Sequence, residues 1–203
     1  KMSLVIHPTY FPNILFFSKI LNHNKILFEI NDHYIKQSLR NRTSIYHANG
    51  ILNLSVPVKY SSKKKQKFKD IQICNDTNWQ KKHFKSIKFA YRSSPFFEFY
   101  ENRFEKIFTK KEKFLIDINL KSIALLFKLI DRRLEYNFTE KYNEIYTGYA
   151  NSRRISNLNF SDKSLSFEKY TQVFERKYGF KKNLSMLDLL FNYGPNYYNF
   201  LAK

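Results

Sequence analysis

The stretch Asp32-His33-Tyr34-Ile35-Lys36-Gln37-Ser38-Leu39-Arg40-Asn41-Arg42 holds the densest set of groups suited to an anion. Arginine offers a planar fork of N–H donors that matches carboxylate or phosphate, and lysine adds a point charge. Lys36, Arg40 and Arg42 are therefore assigned to phosphates, with Asn41 between the arginines as a further ligand contact. Asp32 can orient a base, bind a hydroxyl or act as a base itself. A solvated basic face with Asp32 as counter-ion is the plainer reading of the same residues. His7, in Val5-Ile6-His7-Pro8-Thr9-Tyr10, is a second candidate, since its ring can donate to a phosphate or bond within its own loop. Trp79 and His83 lie one turn apart on one helix face. A ring packed below an imidazole can hold it as a general base, because histidine titrates near neutral pH. His7, Tyr10, Lys36, Arg40, Asn41, Arg42 and His83 can converge at one sheet edge, where His83 takes up a proton, Asp32 orients it, and the Tyr10 and Trp79 rings stack on a ligand. Trp79 and His83 capping a core is the alternative.

The elements that must position these groups can be read from apolar spacing. Residues 3–6 form a short apolar run ended by His7-Pro8, as a buried strand would be. Asn13 can cap a helix over 14–21, and 25–30 reads as a second strand. Strand, loop, helix and strand in that order make the parallel-sheet unit of α/β proteins, whose ligands sit at the carboxyl ends of strands. Residues 43–47 and 51–58 read as a hairpin, with Asn49-Gly50 as a type I′ turn. A strand over 70–74, a helix from about 78 to 91 capped by Asp76, and helices over 95–108 and 114–131 follow. Residues 137–159 read as strand then loop, 167–174 as helix and 185–191 as a last short helix. The expected fold is thus α/β: a Rossmann-like N-terminal unit with a β-hairpin, then a mainly helical C-terminal half, with 1–203 as one domain.

Composition bounds the function classes. With 43% hydrophobic and 26% charged residues, 21 Phe, 15 Tyr and only 4 Gly, the chain is neither disordered nor collagen-like. Cys74 is the lone cysteine, which excludes an intrachain disulfide. No serine-histidine-aspartate order, Walker loop or metal-ligand spacing stands out, so no metal is assigned and the cofactor is left open. No apolar stretch reaches membrane-spanning length. The opening apolar run stops at Ile6 with no small-residue cleavage site after it, so a cytoplasmic location is expected. The 36 Lys+Arg against 17 Asp+Glu give +19, a field that attracts nucleic acid, anionic headgroups or phosphorylated substrates. Lys, Asn, Ile, Phe and Tyr are also what adenine- and thymine-rich codons supply, so part of the excess needs no partner.

Several segments together resemble the WbqC-like family. They are Pro8-Thr9-Tyr10-Phe11-Pro12, Tyr34-Ile35-Lys36-Gln37-Ser38 with Arg40-Asn41-Arg42, and Ala48-Asn49-Gly50 before Leu54-Ser55-Val56-Pro57-Val58. Trp79-Gln80-Lys81-Lys82-His83, Ala90-Tyr91, Ser94-Pro95-Phe96-Phe97 and the closing Leu184-Ser185-Met186-Leu187-Asp188-Leu189-Leu190-Phe191-Asn192 block with Gly194-Pro195 continue the likeness. Arg153-Arg154-Ile155 is similar to an arginine-containing block, without the Pro-Lys that follows it there, and His7 replaces a different polar residue. The resemblance implies a bacterial transferase of O-antigen or other surface-polysaccharide biosynthesis. Its implied chemistry is acyl or glycyl transfer to an amino sugar on a nucleotide or lipid carrier. The alternative is a non-catalytic protein that binds nucleic acid, or a scaffold drawn to anionic membrane surface by Lys63, Lys64, Lys65 and Lys67. Nucleic acid is the less favoured partner, because most aromatics fall in core-like patterns.

Overall fold

Leu4, Val5 and Ile6 are shut away from solvent on both sides, which makes the first strand the centre of its sheet. The computed structural model describes residues 3–61, 65–160 and 165–201. In chain order the elements are β1 (Ser3–Ile6), α1 (Ile14–Leu21), β2 (Ile26–Phe28), β3 (Arg42–His47), β4 (Gly50–Ser55), β5 (Val58–Lys59) and β6 (Gln72–Ile73). Then come α2 (Trp79–Tyr91), α3 (Phe97–Thr109), α4 (Leu115–Leu129), β7 (Tyr136–Phe138), β8 (Tyr149–Asn151), α5 (Glu175–Tyr178) and α6 (Met186–Tyr193). Short 3-10 segments lie at Phe68–Asp70, Arg153–Ser156 and Gly194–Phe200.

The main sheet runs β7-β2-β1-β8, every neighbouring pair parallel. Taken in chain order its strands stand third, second, first, fourth, as the first four strands of a doubly wound 3-2-1-4-5-6 sheet do. The chain leaves β1 toward β2 on one side, while β8 docks on the other. The sheet therefore has a switch point at the carboxyl ends of β1 and β8. Asn13 caps α1 as expected, its side chain accepting from Phe16 N at 2.9 Å. Ile14, Leu15, Phe16, Phe17 and Ile20 are buried along this helix. The α/β architecture, the hairpin β3–β4 and the helices of the C-terminal half are as the sequence implies.

Four local expectations are corrected. The hairpin pairs His47 with Gly50, and neither Ala48 nor Asn49 has positive φ; Gly50 alone does, at 99°. The left-handed residue thus follows the turn instead of sitting inside it, which is where a type I turn needs its glycine. Asp76 does not cap α2; its carboxylate accepts from Cys74 Sγ at 3.3 Å, and Asn78 holds the cap position. The expected loop in 137–159 contains a second short strand, β8. Residues 167–174 are not helical: Tyr170 and Gln172 are buried while Thr171 is exposed, an alternation of two suited to extended chain. Of the lysine-rich run, Lys63 and Lys64 lie outside the described residues. Among the described residues no helix is long and apolar enough to cross a membrane.

That extended strap exists because Asp188, fully buried on α6, needs donors. Tyr170 Oη donates to Asp188 Oδ2 at 2.6 Å, Gln172 Nε2 to the same oxygen at 2.8 Å, and Tyr91 Oη to Oδ1 at 2.9 Å. The next turn of α6 packs Phe191 against Tyr91, Phe97 and Phe104, with ring centres about 5 Å apart. Burial pushes the Asp188 carboxyl up to about 6, against the pull of its three donors. Folding thus binds this proton more tightly than the unfolded chain does. The contribution to stability is complete below the ordinary carboxylate value of 3.8 and is lost as pH rises through about 6. Asp188→Asn removes that dependence. In urea unfolding, wild type is expected to lose on the order of 3 kcal/mol relative to the variant between pH 4 and 7.5. A difference that stays flat over that interval contradicts the assignment.

Candidate functional site

Four polar residues stand one or two places beyond the carboxyl ends of the four parallel strands: His7 after β1, Glu29 after β2, Thr139 after β7 and Arg153 after β8. Glu29 is fully buried, and its carboxylate is met from all sides. Its Oε1 accepts from Asn31 N at 2.7 Å, Asp32 N at 3.1 Å and Thr139 Oγ1 at 2.9 Å. Its Oε2 accepts from Tyr146 Oη and faces Arg153 Nη1 at 3.8 Å. Arg153 in turn donates to the carbonyls of Asn143 and Glu144 and to Asn151 Oδ1, and lies over the rings of Tyr142 and Tyr146. The β7–β8 connection is thereby folded back onto the strand ends.

Beside this cluster Asp32 accepts from His7. Nε2 of His7 lies 3.0 Å from Asp32 Oδ2, and Nδ1 faces Ser156 Oγ at 3.1 Å and the Arg153 carbonyl at 3.2 Å. Arg40 crosses the imidazole, with Nη2 3.1 Å from Nε2 and 3.7 Å from Asp32, while Nη1 donates to the His33 carbonyl at 2.9 Å. The loop of residues 32–41 roofs this group, pinned by Tyr10 N to the Leu39 carbonyl and by Leu39 N to the Ser156 carbonyl. His7 is consequently enclosed, whereas a quarter of the Asp32 side chain remains open to solvent. The carboxylate is the solvent-facing member of the pair.

Electrostatics follow from that layering. Burial, then the Arg40 charge, lowers the His7 pKa below its ordinary 6.5, outweighing the Asp32 contact. Partial burial works to raise Asp32, but the His7 hydrogen bond and the Arg40 charge hold it below the usual carboxylate value. Burial brings Arg40 down to about 10, which leaves it charged at neutral pH. The site therefore presents an ionised carboxylate backed by an imidazole and a guanidinium.

The expected Asp32–His83 pairing is not formed. His83 is buried on α2, its Nδ1 2.9 Å from Tyr10 Oη, and the Ser55 main chain supplies its other hydrogen bond. Desolvation drives its pKa down to about 4, far below what a base poised near neutrality needs. Tyr10 and Trp79 are enclosed with it, Trp79 edge-on to the imidazole at 5.1 Å and to Tyr10 at 6.4 Å. Their ring faces are core contacts and are not presented to a ligand. Of the other expected residues, Lys36 is exposed with Nζ 4.6 Å from the Tyr60 ring centre. Asn41 is buried and spends its amide on the Val56 carbonyl. Arg42 is half-buried at the start of β3. The fold thus brings His7, Asp32 and Arg40 together and places Tyr10, Trp79 and His83 in a separate buried group. Glu29, Ser156, Tyr146 and Arg153 were missed as site residues. Glu29 had a legible signal, a lone charge in the apolar run Ile26-Leu27-Phe28-Glu29-Ile30.

The segments that build this strand-end cluster lie within residues 7–158, and that span matches the model of the WbqC-like protein family. The chain belongs to the WbqC-like family. His7, Glu29, Asp32, Arg40, Arg153 and Ser156 all fall inside the matched span, while Asp188 and α6 lie beyond it. No curated protein and no solved structure matches the chain.

Two measurements check the site. Glu29→Ala leaves the donors of Thr139, Asn31 and Asp32 without their acceptor, and is expected to cost about 3 kcal/mol in urea unfolding. Amide exchange at Asn31 and Asp32 should accelerate with it, and unchanged protection there would count against the network. In an NMR titration the His83 ring should stay neutral until about pH 4, with His7 titrating below 6.5. Both lowered histidines contribute stability that is complete above their ordinary value and is lost as pH falls. A His83 ring that titrates at 6.5 or above is incompatible with its enclosed position.

Proposed function

We propose that this protein is a transferase of bacterial surface-polysaccharide assembly, of the O-antigen type, that moves an acyl or glycyl group onto an amino sugar carried on a nucleotide or lipid. Membership of the WbqC-like family supports the pathway. The observation that carries the reaction class is the Asp32 carboxylate, open to solvent at the carboxyl ends of the strands and held ionised by His7 and Arg40. An ionised carboxylate is suited to hold the amino group of a sugar. As that nitrogen attacks the acyl carbon of an activated donor, the bond from that carbon to the donor's carrier breaks and the carrier leaves with the electron pair, while the proton shed by the nitrogen passes to the Asp32–His7 pair. The imidazole is neutral at rest, kept so by burial and by the Arg40 guanidinium 3.1 Å from Nε2, and Asp32 and the Arg153 carbonyl face its two nitrogens.

The test is transfer from activated acyl and aminoacyl donors to nucleotide-linked amino sugars, with product mass as readout. Asp32→Asn is expected to lower turnover by about 10²–10⁴-fold, the range for loss of a proton-handling group. His7→Gln should lower turnover similarly while changing its pH profile. Full turnover in Asp32→Asn, or no acylated product from any donor and acceptor pair, would sink this reading.

A further inference from the structure

A strand at the side of a sheet turns half of its main-chain donors and acceptors outward, which makes it a template for another strand. β7 is such a strand: it pairs with β2 and with no other strand among the described residues. Thr139 N donates to the Phe28 carbonyl, so residues 137 and 139 turn their main chain toward β2. Main-chain groups alternate along a strand, and the N–H and C=O of Tyr136 and Phe138 consequently point outward. The side chains of these two residues are large and apolar yet 38% and 42% exposed. Their ring centres lie 5.3 Å apart, with Tyr136 packed on Phe28. Beside them a cavity of about 540 Å³ opens between α4 and residues 131–136, its apolar wall formed by Ala124, Phe127 and Leu134. Charge sets this strip apart from the rest of the molecule. Two copies of a chain of net charge +19 repel, but residues 131–141 hold Asp131, Glu135 and Glu140 against Arg132, Arg133 and Lys141 and are neutral. A polyanion gains nothing there, whereas a second copy can approach.

We infer that β7 is the seam of a homodimer, in which two copies pair antiparallel about a two-fold axis through Tyr136. Centred there, the register sets Leu134 opposite the partner's Phe138, Arg132 opposite the partner's Glu140 and Asp131 opposite the partner's Lys141, each match occurring twice. Like charges directly opposite one another are destabilising. Centring the pairing one residue earlier sets Glu135 against its own copy, and one residue later sets Arg133 against Lys141. Charge thus selects the Tyr136 register over both neighbours. Paired residues share a face of the sheet, so the partner's Phe138 enters beside Leu134 at the cavity lined by Ala124 and Phe127. Its ring gains there the cover that one copy lacks. About six main-chain hydrogen bonds cross the seam, through residues 134, 136 and 138 of both chains. Because the strands run antiparallel, the two Asp32 carboxylates lie toward opposite ends of the dimer. The seam does not depend on what those sites catalyse.

The experiment is sedimentation velocity of the full chain over about 1–100 μM at physiological ionic strength. A reversible equilibrium between monomer and dimer is expected. Phe138→Lys puts a charge on the open strand and should weaken association about tenfold or more. Arg132→Glu and Glu140→Arg should each weaken it about as much, because each brings like charges together at two symmetric places. Combined in one chain, the two changes restore the match with its signs exchanged, and association should return toward that of wild type. Arg132 also bonds Tyr197, and a loss that came only from breaking that bond would persist in the double variant. A chain that stays monomeric throughout, a dimer indifferent to Phe138→Lys, assembly beyond the dimer, or a double variant no tighter than either single would overturn the seam.

Discussion

A carboxylate shut inside a protein must be met by donors on both oxygens, and the Glu29 carboxylate imposes that demand at the centre of this molecule. The donors come from four separate places: the main chain beyond β2, Thr139 at the end of β7, Tyr146 in the following loop and Arg153 beyond β8. Satisfying one side chain therefore fixes where three loops leave the sheet. The backbone of Asp32 is held directly by Glu29, so the exposed carboxylate inherits its position from the buried one. The position of the carboxylate open to solvent is set by one shut away from it.

The order of the sheet explains why the imidazole ends up beneath the carboxylate. In a sheet with this switch point a crevice opens beyond β1 and β8. Here the 3-10 segment Arg153–Ser156 and the roof of residues 32–41 close over it, and His7 lies within. Enclosure lowers the imidazole pKa, and the same contacts keep Asp32 ionised. In the familiar hydrolytic arrangement the carboxylate backs the histidine; here the layering is reversed. The chemistry offered to solvent is that of a fixed anion, with proton-accepting capacity one bond behind.

Fold class was readable because its evidence is local. An apolar run ending at His7-Pro8, an asparagine cap at position 13 and a second apolar run are enough to write strand, helix and strand. β8 was not readable: three residues, Tyr149-Ala150-Asn151, become a strand only because β1 offers a free edge to pair with. The 167–174 segment shows the same limit from the other side. Its aromatics fit a helix, but the distant Asp188 claims Tyr170 and Gln172 and draws the chain out straight. That Asp32, His7 and Arg40 could lie together was legible, since charge and imidazole near strand ends are visible in one dimension. Which histidine faces Asp32 was not visible, because Trp79 and His83 at helical spacing are as good a core pair as a catalytic one. Burial decided between them.

The hydrogen bonds of residues 184–186 reach back to the first loop of the molecule. Ile14 N donates to the Leu184 carbonyl, Met186 N to the Pro12 carbonyl, and Ser185 Oγ to the carbonyl of Phe11, a residue held at a positive φ of 37°. Phe191 then plugs the space between α2 and α3. During synthesis the family-matched span therefore leaves the ribosome without the segment that completes its interior and locks its opening turn. Until residues 184–191 are made, that interior stays incomplete and its apolar faces are held only by loose collapse.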